Sequence, residues 1–142
     1  MIIVRTFTWE MAHRLQHHAG KCKELHGHSY KATVAIRGPV VHQNGVSDDG
    51  MVMDFAGLDA AMRKAFGFWD HATMLQSTDP LLSALAPLTR VHSVPWPPTA
   101  ECIAQEIAKR VQDALGADGI NITVVGVRVR QTENSCAVWE PR

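Results

Sequence analysis

The chain has 142 residues, enough for one domain with a real core, and its 14 basic and 14 acidic side chains cancel to no net charge. No basic run or aromatic–basic stripe marks a nucleic-acid footprint, and no apolar stretch suits a membrane helix or a signal peptide. The expectation is a cytoplasmic protein that binds neither nucleic acid nor membrane, and the unusual compositional feature is eight histidines.

Residues 2–13 read as a first strand. Phe7, Trp9, Met11 and His13 alternate with Thr6, Thr8, Glu10 and Ala12, so His13 ends an apolar face. A loop follows, with His17 and His18 in solvent. Cys22-Lys23-Glu24-Leu25-His26-Gly27-His28-Ser29-Tyr30 then opens a second strand over 26–37, ended by Gly38-Pro39. His26, His28, Tyr30, Ala32, Val34 and Ile36 share one of its faces. Antiparallel pairing of the two strands sets the end of the first beside the start of the second, so His13, His26 and His28 converge. Three imidazoles at the mouth of an apolar face suit a divalent metal, with zinc expected first from its preference for nitrogen and sulfur. Three ligands leave a fourth position for water or substrate, as in a catalytic site. The competing reading is three ordinary polar strand-end histidines.

Residues 40–50 are turn-rich and carry an exposed His42. Asp54 is placed to cap a helix whose core face is Phe55, Leu58, Met62 and Phe66, closed by Gly67. Residues 68–98 are the least regular part, with Trp69-Asp70-His71, Asp79-Pro80, an apolar run over 81–88 and Pro95-Trp96-Pro97-Pro98. The prolines exclude helix interior and central strand, and they deliver the chain to Thr99, the cap of a second helix. Ile103, Ile107, Val111 and Leu115 mark its buried stripe, Glu101 lies in its first turn, and Gly116 closes it. A strand from Ile122 to Gln131 puts Val125, Val127, Val129 and Gln131 on one face, and Arg128 and Arg130 on a solvated one. Thr132 to Ser135 turn the chain, and Cys136 to Trp139 return as a strand. The order defines one α+β domain over 1–142, a four-stranded antiparallel sheet with two helices on one face. Such a sheet has two open edges, which association of copies would cover.

Cys22 stands four residues before His26. Beside a metal cation its thiolate is favoured and can act as base or nucleophile; a fourth structural ligand and an inert cysteine are the other readings. Cys102 and Cys136 are expected as small buried hydrophobes. Asp70 and His71 form either a proton shuttle or a simple turn pair. Glu101 favours the helix dipole whatever else it does. Gln131 ends an apolar face, so its amide needs a pocket or a buried polar partner.

Ala12-His13-Arg14-Leu15, Cys22 to Tyr30, Gly50 to Phe55, Asp70-His71, Pro98-Thr99-Ala100-Glu101 and Val127 to Thr132 together resemble the 6-pyruvoyl-tetrahydropterin synthase family, and more closely its bacterial branch of 6-carboxy-tetrahydropterin synthases. The resemblance implies the tunnelling fold, with sheets joined between subunits into a barrel, as a homohexamer built from two trimers with active sites between subunits. It implies zinc on His13, His26 and His28, Cys22 as catalytic thiol, and Asp70 with His71 as its proton-transfer partners. Glu101, Gln131 and Thr132 match the substrate site. The implied reaction is a carbon–carbon lyase step that turns 7,8-dihydroneopterin triphosphate into 6-carboxy-5,6,7,8-tetrahydropterin, acetaldehyde and triphosphate, toward queuosine. Elimination of triphosphate to the pyruvoyl product, and a non-catalytic zinc-containing pterin-binding module, are the alternatives. Arg14, Lys23 and Lys31 stand near the site in sequence as candidates for the triphosphate. Two departures stand out. Gln131 replaces a family glutamate whose carboxylate takes two N–H donors from the ring's amino-pyrimidine edge, a change worth roughly 1–3 kcal/mol. Residues 75–97 also diverge.

Overall fold

The structure, a computed structural model, describes residues 1–116 and 121–142. Strand β1 (Ile2–His13) and strand β2 (His26–Arg37) pair antiparallel along their whole length, from Ile2 opposite Arg37 to His13 opposite His26. A single 3-10 turn (Lys21–Lys23) lies in the loop between them. Helix α1 (Phe55–Phe66) follows, then a 3-10 turn (Gly67–Trp69), strand β3 (Ala72–Gln76), the short helix α2 (Leu81–Leu85) and strand β4 (Val91–Val94). Helix α3 (Ala100–Gly116), strand β5 (Thr123–Thr132) and strand β6 (Ser135–Trp139) complete the order.

The sheet has six strands in the order β4-β3-β1-β2-β5-β6 among the described residues. Its four antiparallel strands β1, β2, β5 and β6 are those expected from the alternation. The parallel pairs β1–β3 and β3–β4 correct the four-stranded expectation. Ala72-Thr73-Met74-Leu75 is buried on both faces, so it shows no polar–apolar period that would mark it as a strand. The apolar run over 81–88 becomes α2 and a turn that leaves Leu88 in solvent.

Both long helices lie on one face. Leu58, Met62 and Phe66 of α1 and Ile103, Ile107, Val111 and Leu115 of α3 join Trp9, Tyr30, Ala32, Val34 and Ile36 in one core. Each large side chain buried this way is worth about 1.5–3 kcal/mol, which fixes the helices to the sheet. Asp54 caps α1 by accepting from the Ala56 N–H at 2.8 Å, and Thr99 caps α3 by accepting from the Cys102 N–H at 3.3 Å.

Four local expectations change. Phe55 stands half-exposed at the rim of the sheet, beside Met51. Gly67 keeps a right-handed conformation (φ −59°), so the chain tightens into the following 3-10 turn and does not stop there. Cys102 is half-buried and Cys136 is exposed, because β6 is an edge strand. The register of β2 with β5 slips between Ala35 and Ile36, where Ala35 faces Gly126 and Ile36 faces Val124. Val125 is the extra residue of that bulge, so Val124 enters the core in its place.

Candidate metal centre and active site

The β1–β2 register builds the site. His13 lies directly opposite His26, and Met11 opposite His28, so all three imidazoles project from one end of the inner sheet face. Their ring centroids are 4.6 Å (His13–His26), 5.1 Å (His13–His28) and 4.9 Å (His26–His28) apart. One nitrogen from each lies within 4.8 Å of the other two.

The hydrogen bonds select the nitrogens. His13 Nδ1 lies 2.7 Å from the Pro98 carbonyl, and His26 Nδ1 lies 2.7 Å from the Glu24 carbonyl. A carbonyl only accepts, so both rings carry their proton on Nδ1 and present a bare Nε2. His13 Nε2 is buried and without any hydrogen-bond partner. An orphaned buried lone pair beside two further imidazoles is what a metal cation satisfies, and a carbonyl behind each ligating ring is the usual second layer of such sites. Burial is the main cause that lowers the His13 pKa to about 4; the charges of His26 and His28 act in the same direction, and the Pro98 bond opposes them. Burial and His26 also lower His28. Neutral imidazoles are the form that binds metal. The donor set fits a divalent ion. Pro98, which the sequence marks as the proline before the helix cap at Thr99, gains a second role here through its carbonyl.

Tyr30 continues the same face and forms the floor beside the histidines. Its ring lies 5.9 Å from His13 and 5.4 Å from His28, stacks 5.0 Å from Trp9, and is fully buried. The Gln131 Nε2–H donates to the Tyr30 hydroxyl at 3.2 Å. The expectation of a buried polar partner for Gln131 is met by this phenol. Burial pushes the Tyr30 pKa up, the Gln131 bond works against that, and the nearby Cys22 thiol raises it further.

Cys22 occupies the 3-10 turn that enters β2 and is half-buried. Its backbone carbonyl accepts from the Leu15 N–H at 2.8 Å, which holds the turn against the end of β1. Among the described residues the metal-competent group consists of the three histidines alone, without Cys22 as a fourth ligand.

Asp70 and His71 lie elsewhere. They precede β3, and His71 lines a cleft of about 440 Å³ with Glu10, Met11, Ala12, Gly27, His28 and Ser29, residues at the paired ends of β1 and β2. The Asp70 carboxylate accepts from the Glu10 N–H at 2.9 Å and from His71 Nδ1 at 3.0 Å. The Glu10 bond first, and His71 after it, hold its pKa below the usual carboxylate value. His71 has φ +57°, a left-handed conformation rare for a residue with a Cβ, and its N–H donates to the Glu10 carbonyl at 2.7 Å. The pair is therefore an ionised carboxylate orienting an exposed imidazole, whose Nε2 has no hydrogen-bond partner among the described residues. Neither residue belongs to the three-histidine group.

Glu101 is exposed in the first turn of α3 and borders a small cleft with Ala137 and Trp139. Thr132 is exposed at the end of β5, opposite Ser135. Of the triphosphate candidates, Arg14 is engaged elsewhere: its guanidinium makes two 2.7 Å bonds to the buried Asp79 carboxylate. Lys31 projects from the outer face directly opposite Arg130.

A mixed sheet with two long helices on one face and a three-histidine group at its strand ends defines an α+β protein with a metal-type site. The family model for 6-pyruvoyl tetrahydropterin synthase matches residues 2–142, and the chain belongs to that family. A probable 6-carboxy-5,6,7,8-tetrahydropterin synthase of Halobacterium salinarum is 34% identical over 123 residues, covering 84% of this chain and 73% of the relative. The 6-carboxy-5,6,7,8-tetrahydropterin synthase of Haemophilus influenzae is 36% identical over 116 residues, covering 78% and 81%. An uncharacterised protein from Wolinella succinogenes superposes with a TM-score of 0.81 at 21% identity, covering 100% of this chain and 98% of that one. Caenorhabditis elegans 6-pyruvoyl tetrahydropterin synthase superposes with a TM-score of 0.68 at 20% identity, covering 100% and 96%. These likenesses establish the tunnelling-type fold.

Proposed function

We propose that the chain is a zinc-dependent carbon–carbon lyase that converts 7,8-dihydroneopterin triphosphate and water into 6-carboxy-5,6,7,8-tetrahydropterin, acetaldehyde and triphosphate, in the cytoplasmic route to queuosine. The observation that carries this reading is the convergence of His13, His26 and His28 around an orphaned Nε2, in a chain whose relatives bear the 6-carboxy-tetrahydropterin synthase name. His13 and His26 through Nε2, with one ring nitrogen of His28, would hold zinc, which when bound supplies Lewis-acid polarisation of the substrate's side-chain hydroxyls.

Cys22, in the turn beside this site, takes and returns protons at its sulfur. Asp70 fixes the His71 proton on Nδ1, which leaves Nε2 to accept a proton from the thiol or substrate. Asp70 and His71 stand outside the three-histidine group, and in the proposed homohexamer of two trimers a second copy of the chain supplies them to each site. Glu101, Gln131 and Thr132 receive the pterin ring.

Product analysis by mass spectrometry tests this. Zinc-loaded protein given 7,8-dihydroneopterin triphosphate is expected to yield 6-carboxy-tetrahydropterin, and Cys22→Ala to keep zinc but yield none. A pyruvoyl product moves the assignment to triphosphate elimination. Unchanged substrate from folded, zinc-containing protein overturns catalysis and leaves a pterin-binding module.

A further inference from the structure

The peptide plane between Asp70 and His71 is held at both of its polar ends. Its carbonyl, that of Asp70, accepts from the guanidinium Nη2 of Arg90. Its N–H, that of His71, donates to the Glu10 carbonyl at 2.7 Å. Arg90 immediately precedes β4 and Glu10 belongs to β1, so the plane is gripped from two separate parts of the sheet. Arg90 is itself fixed, because its carbonyl accepts from the Thr73 N–H of β3 at 2.9 Å. Further along β4, His92 Nε2 lies 3.0 Å from the Phe68 carbonyl, so the same strand reaches the same loop again.

This grip opposes one particular rearrangement. Asp70 has φ −61° and ψ 131°, and His71 has φ +57°, close to the central residues of a type II turn. The second of those places favours Gly or Asn, because a Cβ there is crowded by a carbonyl oxygen. Turning over the one peptide plane converts the turn to type I, in which His71 takes a negative φ and the crowding is relieved. The same motion exchanges the places of the carbonyl and the N–H, so the bonds to Arg90 and Glu10 are both lost. A strained backbone of this kind persists only where its surroundings hold it. Among the described residues, Arg90 is the one side chain bonded to the Asp70 carbonyl.

Resting on the proposed function, in which His71 transfers protons, we infer that Arg90 is a positioning residue: it locks the Asp70–His71 peptide in its strained orientation and so keeps the His71 imidazole at a fixed place beside β1. It acts on the reaction only through His71. Residues 75–97, where the chain departs from the family pattern, thereby contribute to the site.

Arg90→Met tests this, since it keeps the aliphatic stem and removes every donor. Hydrogen exchange of the His71 amide in zinc-loaded protein reads the lock without turnover. It is expected to speed up by about tenfold or more, while the paired amides of β1 and β2 keep their wild-type rates. With 7,8-dihydroneopterin triphosphate, kcat is expected to fall by about tenfold or more with KM unchanged, because the bound substrate meets a misplaced imidazole. In a His71→Ala background there is no imidazole to place, and adding Arg90→Met is expected to change kcat by less than about twofold. A His71 amide that exchanges as slowly in Arg90→Met as in the wild type overturns the inference and leaves the proposed function standing. An equal loss of kcat in both backgrounds overturns it too. If the wild type turns over no substrate, the proposed function fails and the catalytic role of Arg90 with it. Arg90 is exposed, and Arg90→Ser is read in the same way should Arg90→Met not fold.

Discussion

His13 and His26 are direct cross-strand partners, and each ring is locked by an Nδ1–H bond of 2.7 Å to a backbone carbonyl, Pro98 for one and Glu24 for the other. Both Nε2 atoms are therefore oriented before any ion arrives. Removing one ligand, as in His26→Gln, is expected to weaken zinc binding by more than the roughly 10–100-fold that loss of an outer partner costs. A competition titration against a chelator measures it. Cys22→Ala is expected to leave the affinity unchanged, since the thiol lies outside the ligand group.

Acid is expected to destabilise the metal-free protein well above the carboxylate range. His13 titrates near 4 in the folded chain and at 6.5 when unfolded. Between those values the unfolded chain takes up a proton that the folded chain refuses. Stability is therefore full above about pH 6.5 and falls as pH drops toward 4, by up to about 3 kcal/mol from this one group. His28 acts in the same sense. Asp59, Asp70 and Asp79, whose pKa values are held below 3.8, lose their contribution only at lower pH. Urea midpoints of metal-free protein between about pH 7 and about pH 5 report the histidine term.

The Arg14–Asp79 pair ties the end of β1 to the segment after β3. The Asp79 side chain is fully buried, accepts two bonds from Arg14 and takes a third from the Leu81 N–H. Asp79→Ala leaves a largely buried guanidinium without its partner and is expected to cost about 3 kcal/mol in chemical denaturation. Zinc content at neutral pH is expected to remain that of the wild type.

His71 holds a strained backbone at the position proposed for proton transfer. His71→Gly relieves the left-handed conformation, worth about 1–2 kcal/mol, while deleting the imidazole and its bond to Asp70. The unfolding midpoint is expected to stay level or rise, while turnover falls by about 10²–10⁴, the usual contribution of a general acid–base group. Denaturation and product-formation rates on the same preparation separate the two effects.

Local periodicity made much of this molecule legible. Strict alternation in β1 and β2 placed His13, His26 and His28 on one face, and antiparallel pairing then required them to meet. The spacing of Leu58, Met62 and Phe66, and of Ile103 to Leu115, marked the helix faces, because a packed helix repeats its buried stripe every three to four residues. Tertiary structure decided the rest. Strand β3 carries no alternation because it is covered on both faces, so its parallel pairing with β1 has no local signature. The bulge at Val125 depends on how β5 fits the twist of its neighbours, and it puts Val124 in the core where simple alternation assigns Val125. Asp70 and His71 read as companions of Cys22 along the chain. Their hydrogen bonds to the Glu10 backbone hold them beside β1 and outside the three-histidine group, because the place of a loop residue is set by the strand it bonds to, far away in sequence.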